Sequence, residues 1–196
     1  MASLFDTLQA QAFRAGIKAR TKDSQKWFQG KIQDMTTPRR QKLLRDPALE
    51  RTERDLVGSM YMYFYDPKHK KTLPYYDRFP LTIMVQEAKD GFHGLNLHYL
   101  PYNIRAAFLD ELMGLAPKKL VYDTRLTRLR YDLLQKTRKY KEFKPCYKHY
   151  LTKHIKTKLT RVPMTEWEIA IFLPVEQFMK SNKQTVWKDS TILARK

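Results

Sequence analysis

From Leu4 onward the apolar positions Leu4, Phe5, Leu8, Ala12, Phe13, Ala15 and Ile17 recur at helical spacing, behind Ser3 as a suitable N-cap and with Asp6 in the first turn. This predicts an opening helix whose other face carries Arg14, Lys18, Arg20 and Lys22. A second helical stretch follows at about 25–35 and is closed by Thr36-Thr37-Pro38, because a residue before proline is steered away from the α region. Residues 38–55 mix charges of both signs around Pro38 and Pro47 and read as a connector with some helix.

The pattern changes over 57–100. The dense aromatic run MYMYFY at 60–65, the β-branched LTIMVQE at 81–87 and FHGLNLHYL at 92–100 predict three strands. In the last of these, Phe92, Gly94, Asn96 and His98 alternate against His93, Leu95, Leu97 and Tyr99. Asp66-Pro67-Lys68-His69-Lys70 is a turn, and Lys89-Asp90-Gly91 is a hairpin signal of the Asp-Gly kind. A meander or small barrel follows, and closing a barrel requires one or two more strands, for which 151–172 is the candidate region.

Pro101 then opens a helix with Ile104, Phe108, Leu109 and Leu112 on one face, stopped by Gly114 and Pro117. A further helix at about 124–141 places Leu126, Leu129, Leu133 and Leu134 inward and Arg125, Arg128, Lys136, Arg138 and Lys139 outward. Residues 147–158 alternate aromatic or Thr with Lys or His, 167–173 (WEIAIFL) read as a buried strand or helix, and the tail from 179 reads as weakly ordered by itself. The fold class expected is α+β, a small antiparallel sheet or barrel with flanking basic helices. It divides into a basic helical arm (1–55), a β core with its following helix (56–117) and a strongly basic helical or extended region packed on the core (118–196).

Charge sharpens this division. The 196 residues carry 38 Lys and Arg against 20 Asp and Glu, a net +18. Residues 1–55 hold 12 basic and 7 acidic groups, 56–117 hold 6 of each, and 118–196 hold 20 and 7. Within 118–161 the ratio is 15 to 3, a density that reads as an electrostatic footprint and not as a scattered solvated surface. Self-repulsion on this scale acts against the compact state unless a polyanion supplies counter-charge. A single cysteine, Cys146, excludes an internal disulfide framework and any multi-Cys zinc site, and is the composition of a reducing compartment. No stretch reaches the ~18 uninterrupted apolar residues of a membrane span, and the N-terminal helix is too weakly apolar for a membrane surface.

Catalytic constellations are not indicated. His93 and His98 fall on opposite faces of a predicted strand, and His149 and His154 lack a carboxylate cluster, so no metal site is expected. Cys146 with His149 has no orienting Asn or Asp, six scattered glycines make no phosphate loop, and Asp110-Glu111 sits on a helix surface. An enzyme and a cofactor are therefore not expected. What remains is Lys and Arg interleaved with aromatics. The candidate phosphate contacts are Lys118, Lys119, Arg125, Arg128, Arg130, Lys136, Arg138, Lys139, Lys141, Lys148, Lys153, Lys156 and Lys158, with Arg14 and Lys18 on the first helix. Such residues release counterions from phosphates without reading sequence, while Tyr140, Tyr147 and Tyr150 either stack on bases or pack beneath the lysines.

The block at 58–101 contains Y-x-Y-D-P-K (63–68), L-P-Y-Y-D-x-F-P-L (73–81) and D-G-F-x-G-L-N-L-H-Y-L (90–100). It resembles structural proteins of T-even-type tailed phages and their cyanophage relatives, of the DNA end protector or head-completion type. The resemblance covers about 45 of the 196 residues. It implies a small, basic, non-catalytic virion protein that binds double-stranded DNA termini and neighbouring head and neck proteins, and it carries no DNA-contact residue across. Such a protein would be found in the virion, and in the host cytoplasm during assembly. Read physically, the two prolines of 73–80 fix an extended path, Tyr75, Tyr76 and Phe79 can cover an open sheet or meet a protein partner, and Asp77 is placed to hold Arg78 or a backbone turn. A ligand pocket formed by Tyr75, Tyr76 and His98 is the alternative. The competing function is a neck, tail or baseplate adaptor whose basic arms clasp acidic neighbouring subunits.

Overall fold

The computed structural model describes residues 4–18, 21–33, 57–114, 143–162, 164–173 and 175–195. The connector at 38–55 and the helix expected at about 124–141 lie outside them. The fold is α+β. Helices α1 (Leu4–Arg14) and α2 (Lys22–Gln33) precede strand β1 (Met60–Met62), β2 (Tyr76–Asp77), β3 (Leu81–Ala88) and β4 (Gly91–Asn96). Helix α3 (Tyr102–Gly114), β5 (Tyr147–Leu151), β6 (Thr160–Val162), the short α4 (Trp167–Ala170), β7 (Phe178–Met179) and α5 (Lys183–Arg195) follow.

Five strands form one antiparallel sheet in the order β5-β4-β3-β1-β6, and β2 pairs with β7 as a separate ribbon. The two strands missing from the sequence-predicted meander are supplied by the C-terminal half, as β5 on one edge and β6 on the other. They do not pair with each other, so the sheet is open and not a barrel. Alternation decides what each face buries. Met60, Met62, Leu81, Ile83, Val85 and Leu95 face a large core that takes in Leu8 and Ala12 of α1, Phe108 and Leu112 of α3 and Trp167 of α4. Tyr61, Tyr63, Tyr65, Met84, Phe92 and Tyr150 form a second cluster. Because both faces are covered, residues 81–85 are buried without interruption.

Several expectations are corrected by local chemistry. The third predicted strand ends at Asn96, whose side chain accepts the His98 N–H at 3.1 Å and turns Leu97–Tyr99 into a 3-10 helix. The first strand stops at Met62, and Tyr65 bridges Ile155 instead. Phe13, expected on the apolar face of α1, is 84% exposed. On α3, Ile104 is exposed while Arg105 is completely buried. The tail is not loose: α5 buries Val186 and Ser190, and the Trp187 Nε1–H donates to the His98 carbonyl at 2.8 Å.

Candidate nucleic-acid interface

The tyrosine face is where the cations gather, and hydrogen bonds explain how. The 64–66 segment is stitched to 154–157: Asp66 N donates to His154 O at 3.0 Å, Lys156 N to Phe64 O at 2.8 Å and Phe64 N to Thr157 Oγ1 at 3.0 Å. On its other side Tyr65 N donates to Arg78 O at 2.9 Å, and Arg78 N to Gln177 O at 2.8 Å. Segments far apart in sequence are thus held side by side, each ending in exposed cations: Lys68, Lys70, Lys71, Arg78, Lys153, Lys156, Lys158 and Lys180.

Two grooves open between these segments and share Tyr65 and Tyr76. One, of about 580 Å³, is lined by Phe64, Lys70, Arg78, Lys156, Thr157 and Met179. The other, of about 450 Å³, runs between the 67–76 turn and β5 and is lined by Lys68, His69, Tyr75, Tyr99, Lys148 and Tyr150 among others. The carboxylates nearby are already engaged. Lys70 Nζ lies 3.0 Å from both oxygens of Asp66, and the Lys70 hydrogen bond holds that carboxyl below its ordinary range. Asp90 Oδ1 lies 3.0 Å from His149 Nε2. Among the described residues no carboxylate forms an ion pair with Lys148, Lys153, Lys156 or Lys158.

Beneath the grooves lies a buried polar centre. Asp77 Oδ1 accepts from Phe79 N at 3.0 Å and Gln177 N at 3.2 Å, while Oδ2 meets His98 Nδ1 at 2.7 Å and Asn96 Nδ2 at 3.1 Å. Burial alone would raise the Asp77 carboxyl, but His98, Asn96 and the Phe79 amide outweigh it and hold the group below the usual carboxylate range. Asp77 therefore anchors the turn that displays Arg78 and does not hold the Arg78 side chain. Arg105 completes the centre: Nε donates to Leu100 O at 2.7 Å, Nη1 to Ile171 O at 3.0 Å and Nη2 to His98 O at 3.1 Å.

The structure thus brings Lys148 beside Tyr75 and Tyr76 in one groove and Lys156 beside Tyr76 in the other, with Lys153 and Lys158 exposed on the same 153–158 segment as Lys156. Arg14 and Lys18 are exposed at the end of α1, which packs into the core on the opposite face of the sheet, so they do not join the grooves. Lys118, Lys119, Arg125, Arg128, Arg130, Lys136, Arg138, Lys139 and Lys141 lie outside the described residues. Phe79 is buried, its ring 4.7 Å from that of Phe64, and His98 is fully enclosed behind Asp77, so the pocket of Tyr75, Tyr76 and His98 does not form as such. Charge density did not single out Lys68, Lys70, Lys71 and Arg78, within the neutral 56–117 segment, or Lys180, beyond the dense 118–161 run. The 56–117 tally stays neutral even with the buried Asp77 and the buried Arg105 both set aside, because charge summed over a segment does not show which cations share a face; the His69-Lys70-Lys71 run at a predicted turn was the available signal.

A family model described as Phage T4 terminal DNA protecting protein matches residues 1–193. No curated protein and no solved structure matches the chain.

Proposed function

The chain belongs to the phage T4 terminal DNA protecting protein family, and from that membership we propose that it binds the ends of double-stranded DNA in a phage particle, without catalysis and without reading sequence. The observation that carries this reading is the run of exposed lysines, Lys153, Lys156 and Lys158, which have no carboxylate ion pair among the described residues, with Lys156 lining the groove of Lys70 and Arg78. Cations without a carboxylate ion pair among the described residues repel one another, and phosphates relieve that repulsion while releasing counterions. Lys148, Tyr75 and Tyr76 belong to the same surface. Lys118, Lys119, Arg125, Arg128, Arg130, Lys136, Arg138, Lys139 and Lys141 are assigned to the same phosphate-binding role on charge density, and Arg14 and Lys18 to a separate contact. The protein works in the virion and, during assembly, in the host cytoplasm.

The test is titration of the full chain against random duplex DNA over a series of salt concentrations. Replacing Lys153, Lys156 and Lys158 by Gln should reduce the steepness of log K against log salt by up to about 2.7, at ~0.9 per phosphate lost. A slope unchanged by the triple substitution overturns the placement of phosphates on this face, and wild-type affinity indifferent to salt overturns the electrostatic premise. A second reading, attachment to another virion subunit, is favoured by the exposed Phe13 on α1 and by Ile192 and Leu193 on α5. Co-purification with a capsid or neck subunit that Phe13→Ser abolishes, together with no DNA binding, would select it.

A further inference from the structure

The groove between the 67–76 turn and β5 differs from its neighbour in one respect: its cation is recessed. Lys148 is half-buried, and its Nζ lies 4.2 Å from the centre of the Tyr99 ring. Tyr99 is in turn backed by Phe178, at 5.2 Å between ring centres, and by Tyr75 at 6.1 Å. No carboxylate among the described residues pairs with this ammonium. Asp77 lines the groove, but its oxygens are occupied by His98, Asn96 and two backbone amides. Asp90 at the rim is engaged by His149. Burial pushes the Lys148 ammonium down from its ordinary pKa, as expected of a cation partly withdrawn from water.

We propose that this groove seats the terminal nucleotide of a DNA end, its base against Tyr75 and Tyr76 and its terminal phosphate on Lys148. This rests on the reading of the protein as a DNA-end binder and deepens it. The volume of about 450 Å³ falls within the range of about 300–1,000 Å³ of small-ligand sites, too small for a duplex and suited to one splayed nucleotide. Position selects an end. A half-buried ammonium lying over the Tyr99 ring within the groove is poorly placed for the backbone of a continuous duplex, whereas the last nucleotide unstacks at the least cost and carries its phosphate in with it. A terminal phosphate monoester bears more negative charge than an internal diester, and the exposed Lys68 that lines the same groove adds to its attraction. The tyrosine rings accept any base by stacking, in keeping with absent sequence readout.

The experiment compares the full-length protein on duplexes of equal length whose ends carry 5′-phosphate, 3′-phosphate or hydroxyl groups only, and on a dumbbell closed by loops at both ends. One of the phosphorylated duplexes should bind about tenfold tighter than the hydroxyl-ended duplex and the dumbbell, the worth of one charge-assisted contact. Lys148→Met should erase that preference, losing about tenfold on the phosphorylated duplex and clearly less on the dumbbell, with a cooperative thermal transition showing that it remains folded. Tyr76→Ala, on a half-buried ring, should reduce the preference independently. Equal binding of all four DNAs by the wild type, or an equal loss on open and closed DNA in Lys148→Met, overturns the terminal-nucleotide site while leaving salt-dependent DNA binding standing. Failure to bind any of the four at low salt overturns both readings.

Discussion

Arg105 is counted in the net charge of this chain, yet it has no part in binding a polyanion, and replacing it by Met would show why. Its side chain is fully buried and donates to the carbonyls of Leu100, Ile171 and His98, with the guanidinium 4.7 Å from the ring centre of Tyr102 and 5.6 Å from that of Trp187. In Arg105→Met the His98 carbonyl keeps the Trp187 indole N–H as donor, whereas Leu100 O and Ile171 O lose theirs. Two buried acceptors left without these donors cost about 1–3 kcal/mol each, so the variant should lose about 2–6 kcal/mol. For a chain of this size a mid-range loss of about 4 kcal/mol lowers Tm by roughly 8–16 °C. Arg105→Lys should fall between Met and wild type, since an ammonium cannot reproduce a three-way fork. Thermal unfolding followed by far-UV circular dichroism measures the shift, and DNA titration well below the transition measures binding. A Tm within a degree of wild type, or a flatter salt dependence of DNA binding in folded Arg105→Met, would refute the assignment of this arginine to the core.

Asp77→Asn should destabilise the protein at neutral pH by about 1–3 kcal/mol, because the amide sets an N–H where a carboxylate oxygen accepts from buried donors. Because the folded carboxyl lies below its ordinary value, its contribution is complete above the unfolded value of ~3.9 and is lost as pH falls through the lower folded one. Urea unfolding between pH 5 and pH 2 should therefore show a steeper acid limb in wild type than in Asp77→Asn, and parallel limbs would contradict the linkage. Burial pushes the Cys146 thiol up to about 12, so a thiolate-directed reagent at pH 8 should leave native protein unmodified and label it fully in denaturant. Rapid native labelling would show that Cys146 is not enclosed. Gly91→Ala should cost at least about 2 kcal/mol in chemical unfolding, since its Cβ would meet the backbone carbonyl of Tyr150 on β5 and push apart the strands that carry Lys148. An unaffected variant would mean that the β4–β5 register differs from Gly91 opposite Leu151.

Much of the fold was legible where local pattern and burial coincide. Strand β3 and the Lys89-Asp90-Gly91 hairpin follow from β-branched runs and turn chemistry, and α3 follows from Pro101 and its apolar spacing. Boundaries failed where one side chain redirects the backbone: the Asn96 carbonyl converts an apparently continuous alternating strand into a 3-10 turn, a competition that a period-two pattern does not contain. The tail reads as weak because its helix has a thin apolar face, but Val186 and the Trp187 indole find partners brought by residues 97–99. Of the proposed surface, only part is legible in the sequence. The lysines of 148–158 stand out by density, whereas Lys70 and Arg78 do not, since their neighbours across the groove come from the other half of the chain.

By itself the sequence determined that this protein has an α+β fold, an aromatic β centre and a large cationic excess, because composition and periodicity are summed over local neighbours. Only the tertiary structure decided which charges that excess consists of. It buries Arg105 among carbonyls and Asp77 against His98, pairs Lys70 with Asp66, and leaves Lys148, Lys153, Lys156 and Lys158 without carboxylate partners among the described residues. The physical reason is that the free energy of a charge depends on the solvent and partners around it, and those are set by contacts between segments about 80–100 residues apart, such as Asp66 with His154 and Arg78 with Gln177.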